Sequence, residues 1–187
     1  KRIIKPTVMI IEEYNTIFIH IPKNAGTSIE SYFSNKRNKL KIQPGRHDTI
    51  YQIKKKLPNT YNLSNKFAIV RNPYDRMVSW YFYLRKNALK DVEGLWSVVD
   101  FKEWLKDPSK LWNWKDPISL LNQQNTWVDK TVKIIKFENL NKEINEFFQT
   151  KIKLPILNKT KHNNYLEYYD KSSLDLIYNK YKKDFKD

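Results

Sequence analysis

The chain has 187 residues, of which 40% are hydrophobic and 14% aromatic, so its composition predicts a folded globular protein and excludes a disordered one. Lysine and arginine outnumber aspartate and glutamate by 35 to 20, and the net charge of +15 favours an anionic partner. Cysteine is absent, which excludes disulfides and cysteine-based metal sites. No apolar run is long enough to cross a bilayer and no signal peptide is evident, so we expect a cytoplasmic protein; the chain begins at Lys1 without a methionine, and that expectation extends only to the residues present.

The first elements in chain order are two strands and a helix. Residues 8–11 and 16–21 have the apolar content of strands, and residues 12–15 make a turn between them. Residues 22–28 then lead into a helix. We call residues 22–28 the glycine loop, because they contain Gly26.

The next elements follow a polar stretch. Asp48 or Thr49 is expected to cap a short helix that ends at Pro58. Residues 66–70 form a short apolar strand of the kind found in buried parallel sheets, and a long helix is expected over residues 73–88.

The second half continues the alternation. The predicted elements are a helix from Ser97 through Leu105, a loop at 107–116, a helix at 118–127, a strand at 132–137, a helix at 138–148 and a final helix at 172–185. Because strands alternate with helices, we expect a mainly parallel sheet covered on both faces. No repeat or linker is visible, so we expect a single domain over residues 1–187.

Ligands of such sheets bind at the carboxyl ends of the strands, and the glycine loop follows one of these ends. Gly26 lets the backbone approach an anion, and the amides of Thr27 and Ser28 are expected to face it at the positive end of the helix. Lys23 adds a mobile positive charge. Lys23 precedes the glycine by three residues, unlike the lysine of an ATPase P-loop. The alternative is an ordinary strand–helix turn.

Arg71 follows the apolar strand at 66–70, where a P-loop NTPase usually has an aspartate that helps to hold Mg²⁺. A cation at this position suits a second anionic group and not a metal. Ser79 lies two turns into the following helix, and Arg76 shares its helical face. The alternative is that Arg71 pairs with Asp75 at the start of its own helix. Two anion-binding strand ends predict a nucleotide with separate phosphates.

Several segments resemble the carbohydrate-type sulfotransferases of the sulfotransferase family 2. The segment FIHIPKNAGTSIESYF is similar to the family's 5′-phosphosulfate loop, and FAIVRNPYDRMVSWYFYL is similar to its 3′-phosphate motif. IIKFENL and the tail NKTKHNNYLEYYDKSSLDLIYNKYKKDF are similar to its later segments. The resemblance spans residues 16–185, with Asn24 where the family often has threonine. It favours an α/β fold with a P-loop-NTPase-like central parallel sheet flanked by helices on both faces.

The resemblance implies transfer of a sulfuryl group from 3′-phosphoadenosine 5′-phosphosulfate (PAPS) to a hydroxyl group, leaving 3′-phosphoadenosine 5′-phosphate (PAP) and needing no metal. Lys23 would stabilise charge on the departing bridging oxygen. Arg71 and Ser79 would bind the 3′-phosphate, and Lys161, in the loop at 158–161, would approach the nucleotide. The 5′-phosphate would be bound, largely by backbone amides, by Asn24, Ala25, Gly26, Thr27 and Ser28. Pro22 and Lys23 complete the cofactor-binding segment, and Lys23 would contact the 5′-phosphosulfate.

Sulfuryl transfer to an alcohol also needs a general base, and histidine is suited to that role. His47 lies between the two phosphate motifs, and the resemblance supports it as the catalytic base. The alternative is a solvent-exposed loop histidine. His20 is expected to be structural, His162 is expected to be exposed or near the nucleotide, and Asp48 and Glu30 are reserve candidates for the base.

A group of aromatic residues is expected to bind the acceptor. Aromatic faces stack on sugar rings, with Gln123 and Gln124 placed to read hydroxyls, and the positive charge suits an anionic glycan. The competing interpretation of these tryptophans is a core role, which we favour for Trp104. The tryptophans concerned are Trp96, Trp104, Trp112, Trp114 and Trp127.

Two other functions compete with sulfuryl transfer. A nucleotide kinase needs a Walker loop and a carboxylate for Mg²⁺, and neither pattern is present. A polyanion-binding module without chemistry would use the net charge alone. The lysines are spread along the chain and are not grouped in one block, so nucleic acid is not expected as a partner.

Overall fold

The computed structural model describes residues 8–35, 40–43, 47–91, 99–111, 121–157, 159–160 and 162–186. The chain divides into two compact units, the first made of Lys1–Arg71 with Gln124–Asn158 and the second of Asn72–Gln123 with Lys159–Asp187. The single domain over residues 1–187 stays a prediction. None of the described helices is both long enough and apolar enough to cross a membrane.

The described residues form five strands and seven α-helices. The strands are β1 (Val8–Ile11), β2 (Thr16–Ile19), β3 (Leu40–Gln43), β4 (Asn65–Val70) and β5 (Lys133–Lys136). The helices are α1 (Gly26–Asn35), α2 (Ile50–Lys56), α3 (Pro58–Leu63), α4 (Pro73–Asp91), α5 (Phe101–Lys106), α6 (Leu140–Phe148) and α7 (Lys171–Lys180).

The first unit contains a mixed sheet with two parallel and two antiparallel strand pairs, which corrects the prediction of a mainly parallel one. The strand order is β3-β1-β2-β4-β5, and β2, β4 and β5 are parallel neighbours. β1 pairs antiparallel with both β2 and β3. The reason lies in the connection: only a 3₁₀ turn at Glu12–Tyr14 and Asn15, with φ at 43°, separate β1 from β2, and so short a link permits a hairpin but no crossover.

Two short elements were missed from the sequence. β3 lies at the sheet edge and pairs with β1 alone, and its four residues, LKIQ, are half polar. α3 begins with Pro58, which we expected at the end of the preceding helix. Both interpretations of Pro58 have a physical basis, because proline stops the preceding helix and is also well suited to the first position of a new one.

The core of the first unit lies on one face of the sheet. It joins Ile29 and Phe33 of α1 to Ile144 and Phe148 of α6. The strand residues that meet them are Met9, Ile11, Phe18, Phe67, Ile69 and Ile135. On the opposite face Ile17, Ile19 and Ala68 are also fully buried, so both faces of the central strands are covered. This arrangement directs the carboxyl ends of β2 and β4 to the same edge of the sheet.

The second unit is built around α4, α5 and α7. Its core is aromatic, with Trp104 fully buried as expected. The Asn72 side chain caps α4 by accepting a hydrogen bond from the Tyr74 amide at 2.9 Å. The full buried set is Met77, Val78, Trp80, Tyr81, Leu84, Phe101, Trp104, Leu105, Leu121, Ile177 and Tyr181.

Three helix predictions for the second half require correction. α5 begins after Asp100, whose side chain accepts from the Lys102 amide, and Ser97 lies outside the described residues. The expected helix at 118–127 is represented, in the part the structure describes, by a 3₁₀ turn at Gln124–Trp127. The final helix stops at Lys180 and not at residue 185, because the backbone leaves the helical conformation at Tyr181, where φ is −113° and ψ is 26°. The buried Tyr181 hydroxyl donates to the Leu121 carbonyl at 2.6 Å.

Candidate functional site

The glycine loop follows β2 with an unusual backbone. Lys23 and Ala25 have positive φ angles of 70° and 60°, which side-chain-bearing residues seldom adopt. The Ala25 carbonyl accepts hydrogen bonds from the amides of Ser28 at 2.9 Å and Ile29 at 3.1 Å. The Ser28 amide therefore turns into the first turn of α1, although we expected it to face an anion. The strained backbone instead marks residues 23–25 as a shaped segment of the type found at ligand sites.

Gly26 is required because the His20 side chain lies against it. A methyl group on the Gly26 Cα would overlap the imidazole ring of His20. His20 is only 6% exposed and its ring stacks on Phe18 at 5.7 Å. His20 is thus a buried packing residue, and the glycine serves this close approach.

His47 lies beside His20. The two imidazole centroids are 4.5 Å apart, and Nδ1 of His47 is 2.9 Å from the His20 carbonyl oxygen. Since a carbonyl can only accept, Nδ1 is the protonated nitrogen, and Nε2 of neutral His47 is the proton-accepting one. Trp127 donates from Nε1 to the His47 carbonyl at 3.1 Å. The loop histidine is therefore held at two points and is half-buried.

The pKa of the Lys23 side chain is strongly shifted by its surroundings. Its burial lowers the pKa of the ammonium from 10.5 to about 7, and the neighbouring Arg71 guanidinium contributes to the decrease. A buried cation next to a second cation destabilises its own protonated form. An anion bound beside Lys23 would stabilise its protonated form and so offset both the burial and the repulsion by Arg71. This pair of residues therefore favours an anionic ligand.

Arg71 lies at the carboxyl end of β4 in the same unit. Its Nη1 donates to the Lys23 carbonyl at 3.3 Å, and its guanidinium lies 4.4 Å from the centre of the Phe137 ring. The arginine is thereby aligned on an aromatic face, an arrangement that suits its planar charge. These contacts connect it directly to the glycine loop.

Two predicted residues on α4 belong to the second unit. Ser79 is 5% exposed. Arg76 is fully buried and donates from Nη1 to the Asn122 carbonyl at 2.9 Å, which gives its guanidinium a role within that unit.

Gln124 was assigned to the acceptor from the sequence, and its surroundings indicate another role. The side chain is 2% exposed and its oxygen accepts from the Asn24 side chain at 2.6 Å and from the Arg71 amide at 2.9 Å. Its nitrogen donates to the Arg71 carbonyl at 2.8 Å. Because the amide of Gln124 is already hydrogen-bonded within the protein, it is not placed to bind acceptor hydroxyls. The sequence carried no spacing signal that could have joined positions 24, 71 and 124.

The remaining candidates lie in different surroundings. Asp48 forms an ion pair with Lys56 at 2.7 Å. His162, in the second unit, stacks on Phe82 at 5.5 Å and lines an open cavity of about 640 Å³ with Lys159, Thr160, Asn163 and Tyr168. Lys161, Trp96, Trp112 and Trp114 lie outside the described residues. Among the residues that are described, no group of histidine, aspartate and glutamate side chains could hold a metal ion.

Comparison with protein families gives a match over nearly the whole chain. Residues 6–186, nearly the whole chain, match the family model described as "Sulfotransferase family". No curated protein and no solved structure matches the chain.

Proposed function

We propose that this chain, which belongs to the sulfotransferase family, transfers the sulfuryl group of PAPS to a hydroxyl group of a carbohydrate acceptor. The observation that carries the donor assignment is the placement of two cationic residues, Lys23 and Arg71, after neighbouring parallel strands. The Arg71 guanidinium donates to the backbone carbonyl of Lys23 at 3.3 Å. A nucleotide that bears anionic groups at both its 5′ and 3′ positions matches two adjacent cationic positions.

The P-loop-NTPase-like character of the fold is part of this proposal. A strand, a short loop and a helix that begins at Gly26 follow one another at β2, residues 20–25 and α1. The parallel neighbour β4 is followed directly by Arg71, where an NTPase has its metal-binding aspartate. This arrangement supports nucleotide binding through charged side chains and backbone amides.

The donor-binding residues follow from the same reasoning. The glycine loop binds the 5′-phosphosulfate, and Arg71 binds the 3′-phosphate. Ser79 and Lys161 are added to the 3′ side by the family resemblance. The loop residues concerned are Pro22, Lys23, Asn24, Ala25, Gly26, Thr27 and Ser28.

The chemical step is an in-line displacement at sulfur. The acceptor oxygen forms a bond to sulfur while the bond between sulfur and the bridging oxygen of PAPS breaks, and PAP leaves. The hydroxyl proton passes to Nε2 of His47, whose Nδ1–H is held by the His20 carbonyl at 2.9 Å. Protonated Lys23 stabilises the negative charge that develops on the bridging oxygen. No metal ion takes part in the proposed step.

The acceptor is assigned by charge. With 35 basic and 20 acidic residues, the protein is suited to a glycan that already carries sulfate or carboxylate groups. A kinase-like phosphotransfer and a polyanion-binding module without chemistry are the competing functions. The kinase-like function differs from our proposal because it needs Mg²⁺. The polyanion-binding module differs because its binding does not depend on a 3′-phosphate.

Calorimetric titration in the presence of EDTA tests the proposal. We expect PAP to bind without a divalent ion, and 5′-AMP, which lacks the 3′-phosphate, to bind at least about tenfold more weakly, a difference of about 1.4 kcal/mol. ATP with Mg²⁺ and a short oligonucleotide are the comparison ligands. Loss of PAP binding on chelation, equal affinity for 5′-AMP, or a preference for the oligonucleotide would each reject the proposal.

A further inference from the structure

The side chain of Gln124 lies between the two strand ends of the first unit. Gln124 is the first residue of the 3₁₀ turn at Gln124–Trp127. Its side chain reaches the backbone N–H and carbonyl of Arg71, the residue after β4. It also meets the side chain of Asn24, in the glycine loop after β2. One buried amide thus touches both segments to which we assign phosphate groups.

The hydrogen bonds of this amide are numerous and directional. Its oxygen accepts from Nδ2 of Asn24 at 2.6 Å and from the Arg71 amide at 2.9 Å. Its nitrogen donates to the Arg71 carbonyl at 2.8 Å, so both polar groups of the Arg71 residue are held by one side chain. Nδ2 of Asn24 also donates to the Ile69 carbonyl at 2.8 Å, within β4. Asn24 and Gln124 are 0% and 2% exposed.

We propose that Gln124 and Asn24 form a positioning pair that sets the spacing between the glycine loop and Arg71. The inference rests on the proposed function. A ligand with one phosphate group uses one strand end and is insensitive to that spacing. A nucleotide with phosphate groups at both ends binds with its full affinity only if the two strand ends are already at the matching separation, since otherwise binding must order them.

The chemistry of the pair explains the choice of amides. Asn24 uses both hydrogens of one nitrogen, and Gln124 uses an acceptor and a donor at once, which neither an alkyl side chain nor a carboxylate can do. A glutamate in place of Gln124 would lose the donor to Arg71 and would place a negative charge next to the two cations. That charge would compete with the nucleotide phosphates for them. A neutral amide positions the strand ends and leaves their positive charge to the ligand.

The test measures three affinities for each variant. In wild-type protein we expect PAP to bind more tightly than either 5′-AMP or 3′-AMP. In Gln124→Leu we expect the affinity for PAP to fall about tenfold or more, while the affinities for the two monophosphates change by less than about threefold. Tyr61→Phe is the matched control: it removes hydroxyl hydrogen bonds to Asp129 and Thr131 in the same unit, ahead of β4, and should lower stability without altering any of the three affinities.

A second variant and a second measurement guard against misfolding. Gln124→Met keeps the approximate size, introduces no charge, removes the hydrogen-bonding amide, and should reproduce the selective loss for PAP. In the double variant Asn24→Leu/Gln124→Leu the loss should be no larger than that of the more affected single variant, because the two side chains act as one unit. Hydrogen exchange of the protein alone should show faster exchange of the Arg71 amide in Gln124→Leu than in Tyr61→Phe.

The outcomes separate the two proposals. If wild-type protein shows no preference for PAP over the monophosphates, the proposed function fails and the positioning role fails with it. If wild-type protein prefers PAP and Gln124→Leu weakens all three ligands equally, only the positioning role fails, since a general structural defect explains the result. Unchanged exchange of the Arg71 amide in Gln124→Leu would also overturn the positioning role.

Discussion

The charge of the Lys23 ammonium group depends strongly on its surroundings. Burial is the larger cause and the positive charge of Arg71 the smaller one, and together they lower the pKa of Lys23 from 10.5 to about 7. Between these two values the unfolded chain holds a proton that the folded protein has released. The free energy of unfolding therefore increases as the pH rises from about 7 towards 10.5, with this lysine as the cause.

Nucleotide binding should have the opposite dependence on pH. An anion beside Lys23 favours the protonated form, so above about pH 7 binding must take up a proton and the affinity for PAP should fall by up to about tenfold per pH unit. Titrations at pH 7 to 9 in two buffers of different ionisation enthalpy measure both the affinity and the proton uptake. In Lys23→Met the dependence should be absent. A wild-type affinity that stays constant across this range would contradict the assignment of Lys23 to the phosphosulfate.

Gly26 should tolerate no side chain. In Gly26→Ala the new methyl group overlaps the His20 ring, which is itself held between Phe18 and His47. We expect a loss of about 1–3 kcal/mol in the free energy of unfolding, measured by urea denaturation. The double variant Gly26→Ala/His20→Ala should recover part of that loss, because the overlapping ring is removed. A stable single variant would show that the ring moves aside at little cost.

His47 should affect turnover far more than nucleotide binding. As the proposed base it accepts the proton of the acceptor, so His47→Ala should lower turnover about 10²–10⁴-fold. The affinity for PAP, measured by calorimetry, should change little. The fall of turnover towards acid pH should disappear, since it would report protonation of this imidazole. A variant with unchanged turnover would direct attention to Asp48, which is paired with Lys56 at 2.7 Å, and to Glu30.

At the scale of single elements, α2 depends on its first turn. Thr49 accepts from the Gln52 amide at 3.3 Å, and the Gln52 side chain accepts from the Thr49 amide at 2.7 Å. The helix has seven residues, too few to be stable without packing and capping. This reciprocal cap also directs the chain that leaves His47.

Removing this cap should destabilise the protein by a measurable amount. Thr49→Ala should lower the free energy of unfolding by about 0.5–2 kcal/mol in urea denaturation. Thr49→Ser keeps the hydroxyl and should stay close to wild type. Equal stability of the alanine and serine variants would show that packing of Ile50 and Ile53, both buried, is sufficient for the helix.

The boundaries of helices and strands predicted from the sequence were most accurate where the hydrophobic periodicity and the capping residues agreed. β1 was placed correctly, and α4 begins at Pro73 after the Asn72 cap as expected. α3 and β3 were missed, since a six-residue segment that begins with a proline and a four-residue segment that is half polar carry no periodic signal. Short elements of this kind form because neighbouring elements hold them.

At the scale of the whole molecule, the excess of positive charge acts on stability. A net charge of +15 on 187 residues repels itself in the compact state. Among the described residues, the exposed pairs Lys106–Glu103 and Lys142–Glu146 are of the weakly stabilising surface type. Repulsion should therefore outweigh these attractive pairs.

Salt should accordingly stabilise the protein. Raising KCl over a range in which the screening length falls from about 30 Å to 10 Å should increase the thermal midpoint, because long-range repulsion is screened first. A thermal scan in a non-binding buffer measures the effect, with an uncharged osmolyte as the control for solvent effects. A midpoint that decreases with KCl would show that attractive ion pairs dominate.

The amino-acid sequence by itself determined the local features of this protein. The apolar strands before Pro22 and Arg71, the single glycine of the first loop and the cap at Asn72 depend on neighbouring residues, so their pattern can be read directly. The family was predicted from two such motifs and was confirmed. The assignment of Lys23, Arg71 and His47 to the reaction stays a prediction.

Only the tertiary structure decided which distant residues meet. The pairing of β1 with β3, the contact of the His20 ring with Gly26 and the amide pair of Asn24 and Gln124 were not predicted by any local pattern. Residues 24 and 124 are a hundred positions apart, and an asparagine or a glutamine in a sequence is most often a surface residue. Their role appears only when folding buries both amides, because a buried polar group must find a partner within the protein.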